Sequence, residues 1–96
     1  MGACNFYHVS SANDAKQAFT KARDEALYDH GHSGYSGTIA EKGKFVIIPV
    51  PQGTNPYDYA NKLMEEDDPR ISDKWGPAGC IEVEKGKYLF FGWASS

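Results

Sequence analysis

No block of basic residues interrupts this sequence. Its 10 Lys and Arg are scattered, and 13 acidic residues leave a net charge of −3. A dedicated DNA or RNA binder concentrates positive charge to displace counterions from phosphates, so that class is set aside. A small anion is a different matter, because backbone N–H groups hold phosphate without net positive charge. Long apolar runs are missing as well. The longest, residues 45–50, falls far short of the roughly 20 residues that cross a bilayer, and no membrane partner is expected. Cysteine is scarce: Cys4 and Cys80 cannot make a disulfide framework or a four-ligand zinc site. The first residues do not read as a secretory leader, so the expectation is a cytoplasmic protein with reduced thiols.

What the chain does have is aromatic weight. Two Trp, six Tyr and five Phe stand among 96 residues, enough for a single domain. A small core does not comfortably hide all of them, so a stacking surface or a homo-oligomer interface is expected.

Local patterns place the elements. Residues 4–9, CNFYHV, are β-prone. A helix follows, with Ser11 and Asp14 as an acidic variant of the capping box and Gly31 as its C-terminal stop. Ala15, Ala18, Phe19, Ala22 and Ala26 repeat at i, i+3, i+4, i+7 and predict one buried face. Residues 38–50 read as a hairpin turning at Lys42-Gly43, with Phe45–Ile48 covered on both sides. A second helix starts at Asn55-Pro56, carries Asp58 at the capping-box position and ends before Pro69. Its acidic end, Glu65 to Asp68, reads as a solvated face partly balanced by Arg70 and Lys74. Residues 80–93 form another hairpin. The expected fold is α+β, with about five strands in an antiparallel-rich sheet, two helices on one face, and the order β-α-β-β-α-β-β.

The word EKGK occurs twice, at 41–44 and 84–87, and GTI at 37–39 matches GCI at 79–81. Two readings stay open: a duplicated helix–hairpin unit, or one good turn used twice.

Residues 30–39, HGHSGYSGTI, hold the densest chemistry. Gly34 and Gly37 allow close backbone approach to a ligand. Ser33, Ser36 and Thr38 offer hydroxyls, and Tyr35 offers a flat face and a phenol. This set suits a nucleotide, with hydroxyl and N–H groups for phosphate or ribose and a ring for the base. The spacing is not that of a Walker loop. Trp75, in the stiff turn DKWGPAG, is a second stacking candidate, and Arg70 a charged phosphate contact. His30 and His32 would assist. Without a third ligand placed by sequence, the H-x-H pair argues for no metal, and no cofactor is expected. The same two histidines, with His8, could instead act as acid and base on a phosphodiester.

The segment GYSGTIAEK, residues 34–42, with the phenylalanine that opens the next strand, resembles small proteins of unassigned activity encoded by bacteriophages and some bacteria. The likeness does not extend to the second half of the chain. Phage proteins of this size include counter-defence sponges, which bind nucleotide immune signals without degrading them. The resemblance therefore implies a viral protein in the host cytoplasm, sequestering a small phosphorylated ligand such as a signalling nucleotide. Two other classes remain open beside it: a small phosphodiesterase working through His30 and His32, and a module that blocks a host protein.

Overall fold

The computed structural model describes residues 3–30, 39, 42–73 and 76–95, and of these the side chains of 3, 4, 29, 30 and 95 are left aside. The elements are β1 (Ala3–Ser11), α1 (Ala15–His30), β2 (Phe45–Ile47), α2 (Pro56–Glu65), β3 (Ala78–Glu84) and β4 (Lys87–Ser95). The protein is α+β, with a four-stranded mixed sheet among the described residues. Its spatial order is β1-β4-β3-β2. β4 lies antiparallel to both β1 and β3, while β2 runs parallel to β3. A parallel pair needs a crossover, and α2 provides it.

Start and stop signals explain both helices. Asp14 caps α1, its Oδ1 accepting from the Gln17 N–H at 2.8 Å. The cap is therefore Asp14, three residues beyond the expected Ser11, which belongs to β1. Asn55 caps α2 as expected, accepting from the Tyr57 and Asp58 N–H groups, with Pro56 in the first turn. α2 stops before Pro69 is reached. Asp67 adopts a left-handed φ of 50°, and the N–H groups of Asp67 and Asp68 donate to Met64 and Leu63 carbonyls in a Schellman closure.

The helices lie on opposite faces of the sheet, which corrects the expected single face. Alternate residues of each strand belong to different cores. Ala18, Phe19, Ala22 and Ala26 of α1 pack with Phe6, Ala78, Cys80 and Phe90. Ala60, Leu63 and Met64 of α2 pack with Ile81, Leu89 and Phe91 on the other side. Two covered faces absorb much of the aromatic load: Phe6, Phe19, Phe90 and Phe91 are all buried. Close packing also explains Gly79, where a Cβ would meet the Phe91 ring at 2.7 Å and Ile71 at 2.9 Å.

The first expected hairpin takes another form. Ile39 sits in a 3₁₀ turn, and the Lys42 N–H donates to its carbonyl at 2.9 Å. Of the strand expected just before Lys42, residues 38, 40 and 41 lie outside the described residues. β2 finds its partner in β3 instead, beginning where the Ala78 N–H donates to the Lys44 carbonyl at 3.0 Å. That makes β2 an edge strand, so Ile47 is 63% exposed and the expected cover on both faces fails there. The second hairpin forms as expected, β3 and β4 joined at Lys85-Gly86 with Gly86 at φ 79°.

Candidate functional site

Most of the residues predicted for the site, His32, Ser33, Gly34, Tyr35, Ser36, Gly37, Thr38 and Trp75, lie outside the described residues, as does the side chain of His30. The described ends of these two segments are tied together. Lys42 is only 1% exposed, and its Nζ donates to the Asp73 carbonyl at 3.3 Å and the Gly76 carbonyl at 3.0 Å. One buried ammonium thus fastens position 42, just after 40–41, to the two residues flanking 74–75. Burial pushes the Lys42 amine below its ordinary value, and the Asp73 carboxylate pulls it partly back.

Arg70 is engaged locally. Its Nε donates to Asp68 Oδ1 at 2.9 Å and its Nη2 to Oδ2 at 3.0 Å, a bidentate fork. The hydrogen bonds from Arg70 hold the Asp68 carboxyl below its usual range. A ligand phosphate would have to compete with that fork, so the structure gives Arg70 a role in closing the α2 end. His8, the histidine whose side chain is described, meets Glu25 through Nε2 at 3.2 Å on the α1 face. Cys80 is buried, and burial followed by the Glu82 charge pushes its thiol up to about 12, which disfavours the reactive thiolate.

The sequence reading missed a groove beside α1. It is an open groove of about 400 Å³ lined by Lys16, Phe19, Thr20, Arg23, Gly43, Lys44 and Phe45. That volume lies in the range of small-ligand pockets. Lys16, Thr20 and Arg23 fall at i, i+4 and i+7 and so share one helix face, while Gly43 and Lys44 come from the connection leading into β2. The floor is aromatic: Phe19 and Phe45 sit 4.9 Å apart between ring centroids, and the Arg23 guanidinium lies 5.9 Å over the Phe19 ring. Among the described residues three cations line the groove and no carboxylate does. Among the described residues none of the three makes an ion pair, and Arg23 Nε is buried without a hydrogen-bond partner. A buried guanidinium N–H left unpaired is costly, and an anion seated beside it would relieve that cost. The helical spacing Lys16–Thr20–Arg23 was available in the sequence. The contribution of Lys44 was not, because it depends on where β2 packs.

A second depression of about 610 Å³ runs along α1 and is lined by Asp14, Lys16, Gln17, Thr20, Lys21, Asp24 and Glu25. All of these belong to one helix and its cap, and no facing wall stands among the described residues. Among the described residues no group of three or more His, Cys, Asp or Glu is placed to hold a metal ion, and no helix is long and apolar enough to cross a membrane.

The geometry thus defines a small mixed-sheet α+β protein with an aromatic-floored cationic groove. Comparison with protein-family models, with curated proteins and with solved structures finds no match.

Proposed function

We propose that the protein binds a small phosphorylated ligand, a nucleotide messenger being the favoured class, and holds it without chemistry. One observation carries this reading: on a chain of net charge −3, Lys16, Arg23 and Lys44 surround a groove that no carboxylate lines among the described residues. Phosphate would meet these cations and the Thr20 hydroxyl, while the exposed part of Phe45 offers a wall for a flat base. The hydroxyl- and glycine-rich residues 30–39 complete the ligand's contacts in this reading, with Tyr35 stacking. Sequestration of an immune nucleotide by a phage-encoded protein is the biological setting that the resemblance of residues 34–42 favours.

The test is a thermal-shift screen against cyclic and linear nucleotides and their unphosphorylated nucleosides, followed by calorimetric titration. Phosphorylated members should bind and nucleosides should not. Arg23→Gln combined with Lys44→Gln should weaken binding by about tenfold or more, the loss of one or two charge-assisted hydrogen bonds. Tyr35→Ala should cost about 1–3 kcal/mol of affinity. Ligand released by heating should be chemically intact. Equal binding of nucleosides, or full affinity in the double variant, would defeat the proposal. Hydrolysed ligand, at a rate abolished by His30→Ala or His32→Ala, would establish the phosphodiesterase instead.

A further inference from the structure

The two edges of the sheet are unequal. β2 is three residues long and is followed by Pro49 and Pro51, which cannot extend a ladder. β1 is nine residues long, holds no proline and, among the described residues, pairs with β4 alone. Natural sheets blunt such an edge with charge, proline or a cover, and a long unblunted edge is a template for another strand.

The direction of the free groups follows from the ladder. The Ala12 N–H donates to the Gly86 carbonyl, continuing the register in which Ser11 lies opposite Lys87. Antiparallel pairs alternate, so the backbone groups of Phe6, His8 and Ser10 point at β4. Those of Asn5, Tyr7, Val9 and Ser11 point away from it. The outermost is capped, the Ser11 carbonyl accepting from Lys21 Nζ at 3.2 Å. The side chains of Asn5, Tyr7 and Val9 emerge on the α2 face, where Tyr7 is 45% and Val9 41% exposed.

Beside this edge lies a pocket of about 330 Å³ lined by Asn5, Tyr7, Asn61, Met64, Glu65 and Trp93. It joins two aromatic rings, a thioether, two amides and one carboxylate, with no cation on its walls among the described residues. Glu65 makes no ion pair among the described residues. Its charge faces Tyr7: burial first, then Glu65, pushes that phenol above its ordinary value and keeps it neutral. Aromatic faces with a neighbouring carboxylate attract an ammonium or guanidinium group.

We infer that β1 is a docking edge for an extended basic segment of another protein, which adds a fifth strand beside Asn5, Tyr7 and Val9 and places one Lys or Arg side chain against Tyr7, Trp93 and Glu65. This is recognition by strand addition, with main-chain bonds supplying affinity and the pocket supplying specificity. It uses the opposite face of the sheet from the cationic groove and does not depend on it. Charge favours this occupant over a second copy, since two chains of net charge −3 would bring no cation to Glu65 from their own β1 strands.

The experiment selects a yeast-displayed library of random nine-residue segments on the purified protein, with an unrelated acidic protein as control. Enriched segments should alternate apolar and polar residues and carry a Lys or Arg at one fixed position. Their affinity should fall at least tenfold with Glu65→Gln and with Val9→Pro, which removes an outward N–H and leaves the β4 ladder whole. Should Val9→Pro lower the melting temperature, Asn5→Pro removes an N–H of the same orientation. Absence of enrichment, enrichment without a cationic position, or binding that survives both a proline variant and Glu65→Gln would overturn the inference. So would light scattering that shows a dimer which the proline variant splits, because the edge would then belong to a second copy.

Discussion

The tetrapeptide Glu-Lys-Gly-Lys stands twice in the chain, and its Lys-Gly-Lys part folds two ways. At 84–87 it makes a tight hairpin: Gly86 takes φ 79°, and the Glu84 and Lys87 side chains approach to 3.8 Å across the turn. At 41–44 Gly43 shows no left-handed φ and its Cβ direction is open. There the second residue, Lys42, is 1% exposed and bonded to carbonyls more than thirty positions away, whereas Lys85 is exposed. The difference lies in what each following strand can reach. β4 meets β3 directly behind it, so its turn is local. β2 meets β3 only after α2 has crossed over, so the residues before it are free to insert a lysine into the interior. The same Lys-Gly-Lys thus makes a local turn at 85–87 and carries a buried long-range anchor at 42–44.

Substitutions at matched positions sharpen this contrast. Lys42→Ala should cost about 2–4 kcal/mol, from a buried four-carbon stem and charge-assisted bonds to two carbonyls, while Lys85→Ala should stay within about 0.5 kcal/mol. Urea denaturation of the two variants measures it, and equal midpoints would mean that the two lysines are equivalent. The glycines should reverse the order. Gly86→Ala forces a side chain into the left-handed region with the Ala12 carbonyl 3.4 Å from its Cβ, at a cost of about 1–2 kcal/mol. Gly43→Ala should be neutral or stabilising by up to about 1 kcal/mol.

The smallest effect is in pH. Lys42 releases its proton more readily folded than unfolded, so between its lowered value and the ordinary 10.5 the unfolded chain binds more protons. Stability from this group therefore rises with pH in that window. Cys80 acts oppositely, its contribution being full below 9.0 and lost as pH climbs toward about 12. Comparing wild type with Lys42→Met at each pH cancels the Cys80 part. The wild type should gain on the variant as pH approaches 10.5, and a flat difference would argue that Lys42 is no more desolvated than a surface lysine.

The sequence made the local features legible. The alanine stripe of α1, the Asn55 cap and the Lys85-Gly86 hairpin rest on neighbours within a few positions, and all appear as read. Two helices within an α+β domain were legible for the same reason. The distribution of helices between faces was not, because it depends on which parity of β3 and β4 each helix covers. Leu89, Phe90 and Phe91 are apolar in succession and point to both sides. The cationic groove was half legible: Lys16 and Arg23 share a helix face by spacing, but Lys44 joins them only through the placement of β2. Arg70 looked available to a ligand because nothing in the spacing showed that the helix end would turn Asp68 back toward it.

β4 is the wall common to both cores, sending Phe90 and Ala94 to one and Leu89 and Phe91 to the other, and it is also the ladder partner of β1. Its register with β1 pairs Ala3 with Ser95, a contact that closes nearly the whole chain into one loop. On the ribosome, β1 and α1 emerge long before the strand that completes either core. Neither apolar face has a finished surface to settle on until β4 is released. Folding of β1 and α1 accordingly waits for β4, and until then β1 lacks its ladder partner.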